Sequence, residues 1–143
     1  MLAWIPPVLG VVKLNVDGSR KESTGAIGAG GVLRDHLGQW LGGFAVNLGK
    51  GKILEAELWG LFFGLKLAME KHVDDVVIEM DSAIAVKLIQ NAEVDTLHPT
   101  AGLVSNCKRI MNQFRRVDIQ HIYRERNSVA LEWFKTLNLF FFF

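Results

Sequence analysis

Cysteine is nearly absent from this sequence. The 143-residue chain holds one, Cys107, so no disulfide can form within it and no cysteine-rich zinc site can be built. That fits a reducing compartment, and an intracellular location, nuclear or cytoplasmic, is expected. Excess charge is absent too: 16 Lys and Arg face 15 Asp and Glu, for a formal net charge of +1. A nucleic-acid binder with this balance must rely on a local patch. The densest is KRIMNQFRR, residues 108–116, with four cations in nine residues; taken alone, it reads more readily as a solvated helix face and turn. Long apolar runs are missing as well. None reaches the ~18 residues of a membrane span, and the apolar start MLAWIPPVLG lacks the basic n-region of a signal peptide. No membrane association is expected. Proline is scarce, and Pro6 and Pro7 mark residues 1–10 as an extended segment rather than a helix.

What is present is the composition of a folded globule. Half of the residues are hydrophobic and 22% are charged, and a chain of this length buries roughly two-thirds of its unfolded surface. One domain is expected over residues 11–138, with a poly-Phe tail at 139–143 outside it, and a monomer. Thirteen of the 14 glycines lie at or before Gly64, so the first half is turn-rich and the second helix-rich. GVVKLNVDGS alternates, with Lys13, Asn15 and Asp17 on one face and Leu14 and Val16 on the other, which predicts a strand ended by Gly18. GAIGAGGVLRD and QWLGGFAVNL read as two further strands, the glycines of the first suggesting a bulge or a close backbone approach. Three strands with short turns form an antiparallel meander.

A long helix follows over residues 53–71. Ala56, Gly60, Gly64 and Ala68 recur at i+4 along it and form a smooth ridge able to lie close on a sheet. DDVVIEM is a fourth strand. SAIAVKLIQN is a short helix that Asp81 could cap. HPTAGLVSNCKRIMNQF is a helix with Pro99 near its start. VDIQHIY is a fifth strand and SVALEWFKTLNL a last helix. The order βββαβααβα implies an α/β fold: a five-stranded mixed sheet, parallel in its second half, with helices packed on it.

Three acids stand out in this frame. Asp17 ends the first strand, Glu57 lies in the N-terminal half of the long helix, and Asp81 ends the fourth strand. Each has an ordinary reading alone: a turn aspartate, an acid favoured by a helix dipole, an N-cap. The topology brings them together, because the first and fourth strands should be parallel neighbours and sites form at the carboxyl ends of such strands. Clustered carboxylates are costly unless a cation neutralises them. Oxygen-only ligands favour Mg²⁺, and such a cluster can hold two ions for in-line phosphodiester displacement. Other sites are excluded. Gly28 and Gly30 are followed by Leu33 where a dinucleotide fingerprint needs a third glycine, and NLGKGK lacks the first glycine and the Ser/Thr of a P-loop.

KLNVDGS, GAGGVLRDHLGQWLGGF, LEAELWGLFFGLKLAMEK, VVIEMDS and HIYRERNSVA, in this order and spacing, resemble the ribonuclease H type-1 domain, in particular its plant, retrotransposon-related branch. The resemblance spans about residues 4–135. It implies a ribonuclease H-like fold and endonucleolytic hydrolysis of the RNA strand of an RNA–DNA hybrid, with two Mg²⁺ or Mn²⁺ ions. It implies Asp17, Glu57 and Asp81 as catalytic metal ligands. Gly18 and Ser19 are implied at the substrate backbone, with Ser82 and Asn127 as further contacts, and an RNA–DNA hybrid or RNA as partner. The branch pattern Arg-Glu-x-Asn-x-x-Ala-Asp is met by Arg124, Glu125, Asn127 and Ala130, but Leu131 stands where the fourth acid belongs. Leucine cannot coordinate a metal. Glu125 and Glu132 are the acids near enough in sequence to compensate, although one residue along a helix turns the side chain by about 100°. A nucleic-acid-binding module with impaired catalysis is the alternative that Leu131 raises. The mobile-loop histidine of the family has no clear counterpart, and His121 is expected in a structural place within the fifth strand.

Overall fold

The computed structural model describes residues 10–127. The elements, in chain order, are β1 (Val12–Lys21), β2 (Ala26–Arg34), β3 (Trp40–Lys50), α1 (Ile53–Glu70), β4 (Asp75–Met80), α2 (Ala83–Gln90), α3 (Ala101–Met111) and β5 (Arg116–His121). They form one mixed sheet in the order β3-β2-β1-β4-β5. β1, β2 and β3 pair antiparallel, while β1–β4 and β4–β5 pair parallel. The expected meander and the parallel second half are both present. The predicted last helix, residues 128–139, lies outside the described residues, apart from a helical turn over 124–127 that precedes it.

The first strand differs from expectation at its end. Gly18 does not stop β1, which runs on to Lys21 and keeps its pairing with β2 (Gly18 opposite Ala29, Lys21 opposite Ala26). Glycine serves a different purpose there. A Cβ on Gly18 would lie 2.6 Å from the backbone of Ala56 and Glu57, so the residue lets α1 rest directly on the strand. The small-residue ridge of α1 extends this contact. A Cβ on Gly64 would meet Val16 Cγ1 at 2.8 Å, and one on Gly60 would meet Ala29 Cβ at 3.3 Å. Two glycines inside a helix cost about 1 kcal/mol each against alanine; here they allow Leu58, Leu61 and Leu65 to be buried completely against Leu14, Val16, Ile78 and Met80.

α3 closes the same core through Val104 and Cys107. The Cys107 thiol is fully buried, and burial pushes its pKa up to about 12. The cations of residues 108–116 are largely used within the protein. Arg115 grips Asp75 through two bonds of 2.9 and 2.7 Å, Lys108 bonds the Asn91 carbonyl, and Arg109 bonds Asn106. The Arg115 guanidinium holds the Asp75 carboxyl below the usual range. Arg115 and Arg116 also sit where β4 and β5 begin, at the sheet edge opposite the strand ends that carry Asp17 and Asp81.

Candidate active site

β1 presents Lys13, Asn15 and Asp17 on the face away from Leu14 and Val16, and all three are buried. Neighbouring β4 runs parallel with Asn15 opposite Glu79. The first two of these side chains enter a satisfied network. Lys13 Nζ pairs with Glu79 Oε2 at 3.0 Å, and Asn15 Nδ2 donates to Glu79 Oε1 at 3.0 Å and to Asn127 Oδ1 at 3.1 Å. Asn127 Nδ2 donates in turn to the Val16 carbonyl at 3.0 Å.

One step further along the strand the character changes. Asp17, Glu57 and Asp81 each present a carboxylate oxygen, and these atoms all lie within 4.8 Å of one another. Asp17 comes from β1, Asp81 follows the last residue of β4, and Glu57 comes from α1. The close approach at Gly18 is what lowers Glu57 onto the strand end. Burial, followed by the charges of Asp17 and Asp81, pushes the Glu57 carboxyl up to about 8, against the pull of a bond from the Gly18 amide and of the Arg124 charge. Arg124 Nε stands 4.0 Å from Asp81 Oδ2, with most of its side chain in solvent.

The predicted capping by Asp81 is not what holds α2. Ser82 is the N-cap, its hydroxyl accepting from the Ala85 amide at 3.2 Å, which leaves Asp81 to face the other acids. Ser82, expected at the substrate, is therefore a cap as well. Asn127, also expected at the substrate, is fully buried, and both ends of its amide are bonded inside the protein. Gly18 is a packing residue against α1, and Ser19 remains exposed beside it. Glu125, a candidate compensating acid, lies in the helical turn and is exposed. Leu131 and Glu132 lie outside the described residues. His121 ends β5 opposite Met80. Reading the sequence missed two features: Arg124 as the cation beside the acids, and the network from Lys13 to Asn127. Lys13 and Glu79, each set among apolar residues of its strand, were the available signal for the second.

The donor set suits a hard divalent cation. It is all oxygen, its atoms are close enough to share one ion, and Glu57 Oε2 is buried with no hydrogen bond among the described residues. Burial and the neighbouring acids disfavour the charged form of Glu57, and a cation held beside it would favour that form.

A sheet ordered 3-2-1-4-5 with three acids brought together where β1, β4 and α1 meet defines a ribonuclease H-like domain. The comparisons agree. The model of the "Reverse transcriptase-like" family matches residues 15–135, and the chain belongs to that family. A relative from Arabidopsis thaliana that carries a provisional ribonuclease H name is 42% identical over 130 residues, which is 91% of this chain. The chain spans about a fifth (21%) of that relative's length. Among solved structures, the N-terminal RNase H domain of a Mycobacterium tuberculosis protein superposes with a TM-score of 0.77 at 25% identity, covering 85% of this chain and 88% of that one. LC11-RNase H1 in complex with an RNA/DNA hybrid gives a TM-score of 0.73 at 23% identity over 85% of this chain and 91% of that one, a likeness of fold.

Proposed function

We propose that the chain is an endoribonuclease domain that hydrolyses the RNA strand of an RNA–DNA hybrid and depends on Mg²⁺ or Mn²⁺. The observation that carries this reading is the meeting of Asp17, Glu57 and Asp81 within 4.8 Å at one sheet edge. A divalent ion held there would activate a water and neutralise charge on the phosphate oxygens during in-line displacement. Asp17, inside β1, and Asp81, just past the end of β4, fix the position of the positive charge from rigid strands. Glu57 completes the set and gives up its proton when that charge arrives. The exposed hydroxyl of Ser19 lies where the nucleic-acid backbone would pass. Exposed cations share that edge: Lys21 ends β1, Lys50 ends β3 and Lys52 caps α1. They supply phosphate contacts that the net charge of the chain conceals. Selection of the RNA strand rests on its 2′-hydroxyls, and the expected products carry a 5′-phosphate and a 3′-hydroxyl.

The test is cleavage of an end-labelled hybrid by purified protein with Mg²⁺ or Mn²⁺. Cleavage lost in Asp17→Asn supports the assignment; no cleavage above that variant sinks it. Leu131 favours a second reading, a module that binds hybrid or RNA without turnover. Salt-dependent binding in the absence of cleavage, with activity gained by Leu131→Asp, would establish it.

A further inference from the structure

β1 and β4 run side by side only as far as the rung of Asn15 and Glu79. Past it β1 keeps its pairing with β2, and β4 keeps its pairing with β5, but the ladder between them has ended. Asp17 lies two residues past that rung on β1, and Asp81 lies just after the last residue of β4. The two acids therefore flank a place where strand pairing no longer sets their separation. Asn127 enters there. Its Nδ2 donates to the Val16 carbonyl at 3.0 Å. That carbonyl and the Asp17 amide belong to one planar peptide group, so the bond fixes the plane from which the Asp17 side chain departs.

An amide side chain can present either end, and here the direction is dictated. Glu79 pairs with Lys13 Nζ at 3.0 Å, and a carboxylate in such a pair only accepts. Asn15 must turn its Nδ2 toward it, and the same nitrogen donates to Asn127 Oδ1 at 3.1 Å. With its oxygen taken, Asn127 has its Nδ2 left for Val16, where a carbonyl again only accepts. The bonds run one way from the ion pair to the peptide before Asp17, through residues that are all buried. A buried ion pair is weak evidence for stability; this one sets a direction.

We propose that Glu79, acting through Asn15 and Asn127, is a positioning residue for the acid cluster. The relay holds the Val16–Asp17 peptide, and with it the spacing of Asp17 and Asp81 that a divalent ion requires. This rests on the metal reading above and deepens it. Glu79 is not among the acids that meet and acts only through its neighbours.

Mn²⁺ calorimetry on the whole chain tests it, together with the amide resonance of Asp17 in ion-free protein. Every variant is compared under conditions where circular dichroism shows it folded. Asn127→Ala should weaken Mn²⁺ binding by roughly tenfold. Glu79→Gln has the same size but can donate, and it should weaken binding by a smaller factor. Both should move the Asp17 resonance. Asp75→Asn, at the opposite sheet edge, should lower the urea midpoint and leave affinity and resonance alone. Wild-type Mn²⁺ affinity in Asn127→Ala and Glu79→Gln, with only the midpoint lowered, would reduce the relay to a structural role and leave the metal reading standing. An Asp17 resonance that stays in place in both would break the relay as well. Absence of Mn²⁺ binding by the wild type would overturn the metal reading and this inference together. Where Asn127→Ala fails to fold, Glu79→Gln and Asn15→Ser decide in its place.

Discussion

Two buried charged groups share one strand face and differ in every other respect. Lys13, Asn15 and Asp17 are alternate residues of β1. The first pair meets Glu79 and Asn127, and the donors and acceptors match. Two residues further along, Asp17 meets acids of its own sign in Glu57 and Asp81, with Arg124 at the margin. The same sheet thus buries charge in two ways. Where the partners are complementary, burial fixes the chain. Where they are alike, burial stores repulsion that a bound cation would relieve. The difference separates scaffold from site without reference to any relative.

The comparison can be broken most severely on the complementary side. Glu79→Ala takes the carboxylate from a buried lysine and an asparagine. Removing one partner of such a pair costs about 3–5 kcal/mol, which should appear as a sharply lower urea midpoint. On the other side, pH is the lever. Glu57 titrates near 8 in the fold against 4.5 as a model group, so the folded state holds its proton more tightly than the unfolded one. The stability it contributes is complete below about pH 4.5 and is lost as pH rises through about 8. The slope approaches about 1.4 kcal/mol per pH unit at its steepest. Glu57→Gln should flatten this slope in ion-free protein, and melting curves from pH 5 to pH 9 would show it.

Smaller effects follow. Gly18→Ala places a methyl against backbone at 2.6 Å; overpacking of this kind costs about 1–3 kcal/mol, and hybrid cleavage should fall with it because Glu57 is displaced. Asp17→Asn should do the opposite to stability, raising it by about 1 kcal/mol as a like charge disappears, while divalent-ion binding in calorimetry is lost. A variant that both loses the ion and loses stability would mean that the acids hold the fold together rather than strain it. Least of all, Arg116→Ala, at the far edge of the sheet, should shift stability by no more than about 0.5 kcal/mol and leave hybrid affinity unchanged in a filter-binding titration.

Much of this was legible in the sequence because period and order carry topology. Alternation in β1, the i+4 ridge of α1 and the strand–helix–strand order were enough to place Asp17 beside Asp81 and to bring Glu57 over them. What escaped was set by three-dimensional neighbours. Gly18 looked like a strand end, yet its role is defined by Ala56 and Glu57, which are distant in sequence. Ser82 and Asp81 are adjacent and both cap helices well; only geometry decides that the serine does so. Asn127 belongs to the motif that resembled the family, so a place at the substrate was a reasonable expectation. Its burial depends on Asn15, 112 residues earlier, and no local pattern reports that pairing.

The site draws on residues 17, 57, 81 and 124, nearly the whole span of the described fold. A ribosome making this chain releases the first acid early and the cation last. β1 cannot receive β4 until the long helix has crossed over, and the Asn127 bonds form only after β5 has been laid down. During synthesis the centre is therefore incomplete until the turn at residues 124–127 arrives, and a chain broken off before residue 124 would carry all three acids without Arg124 beside them.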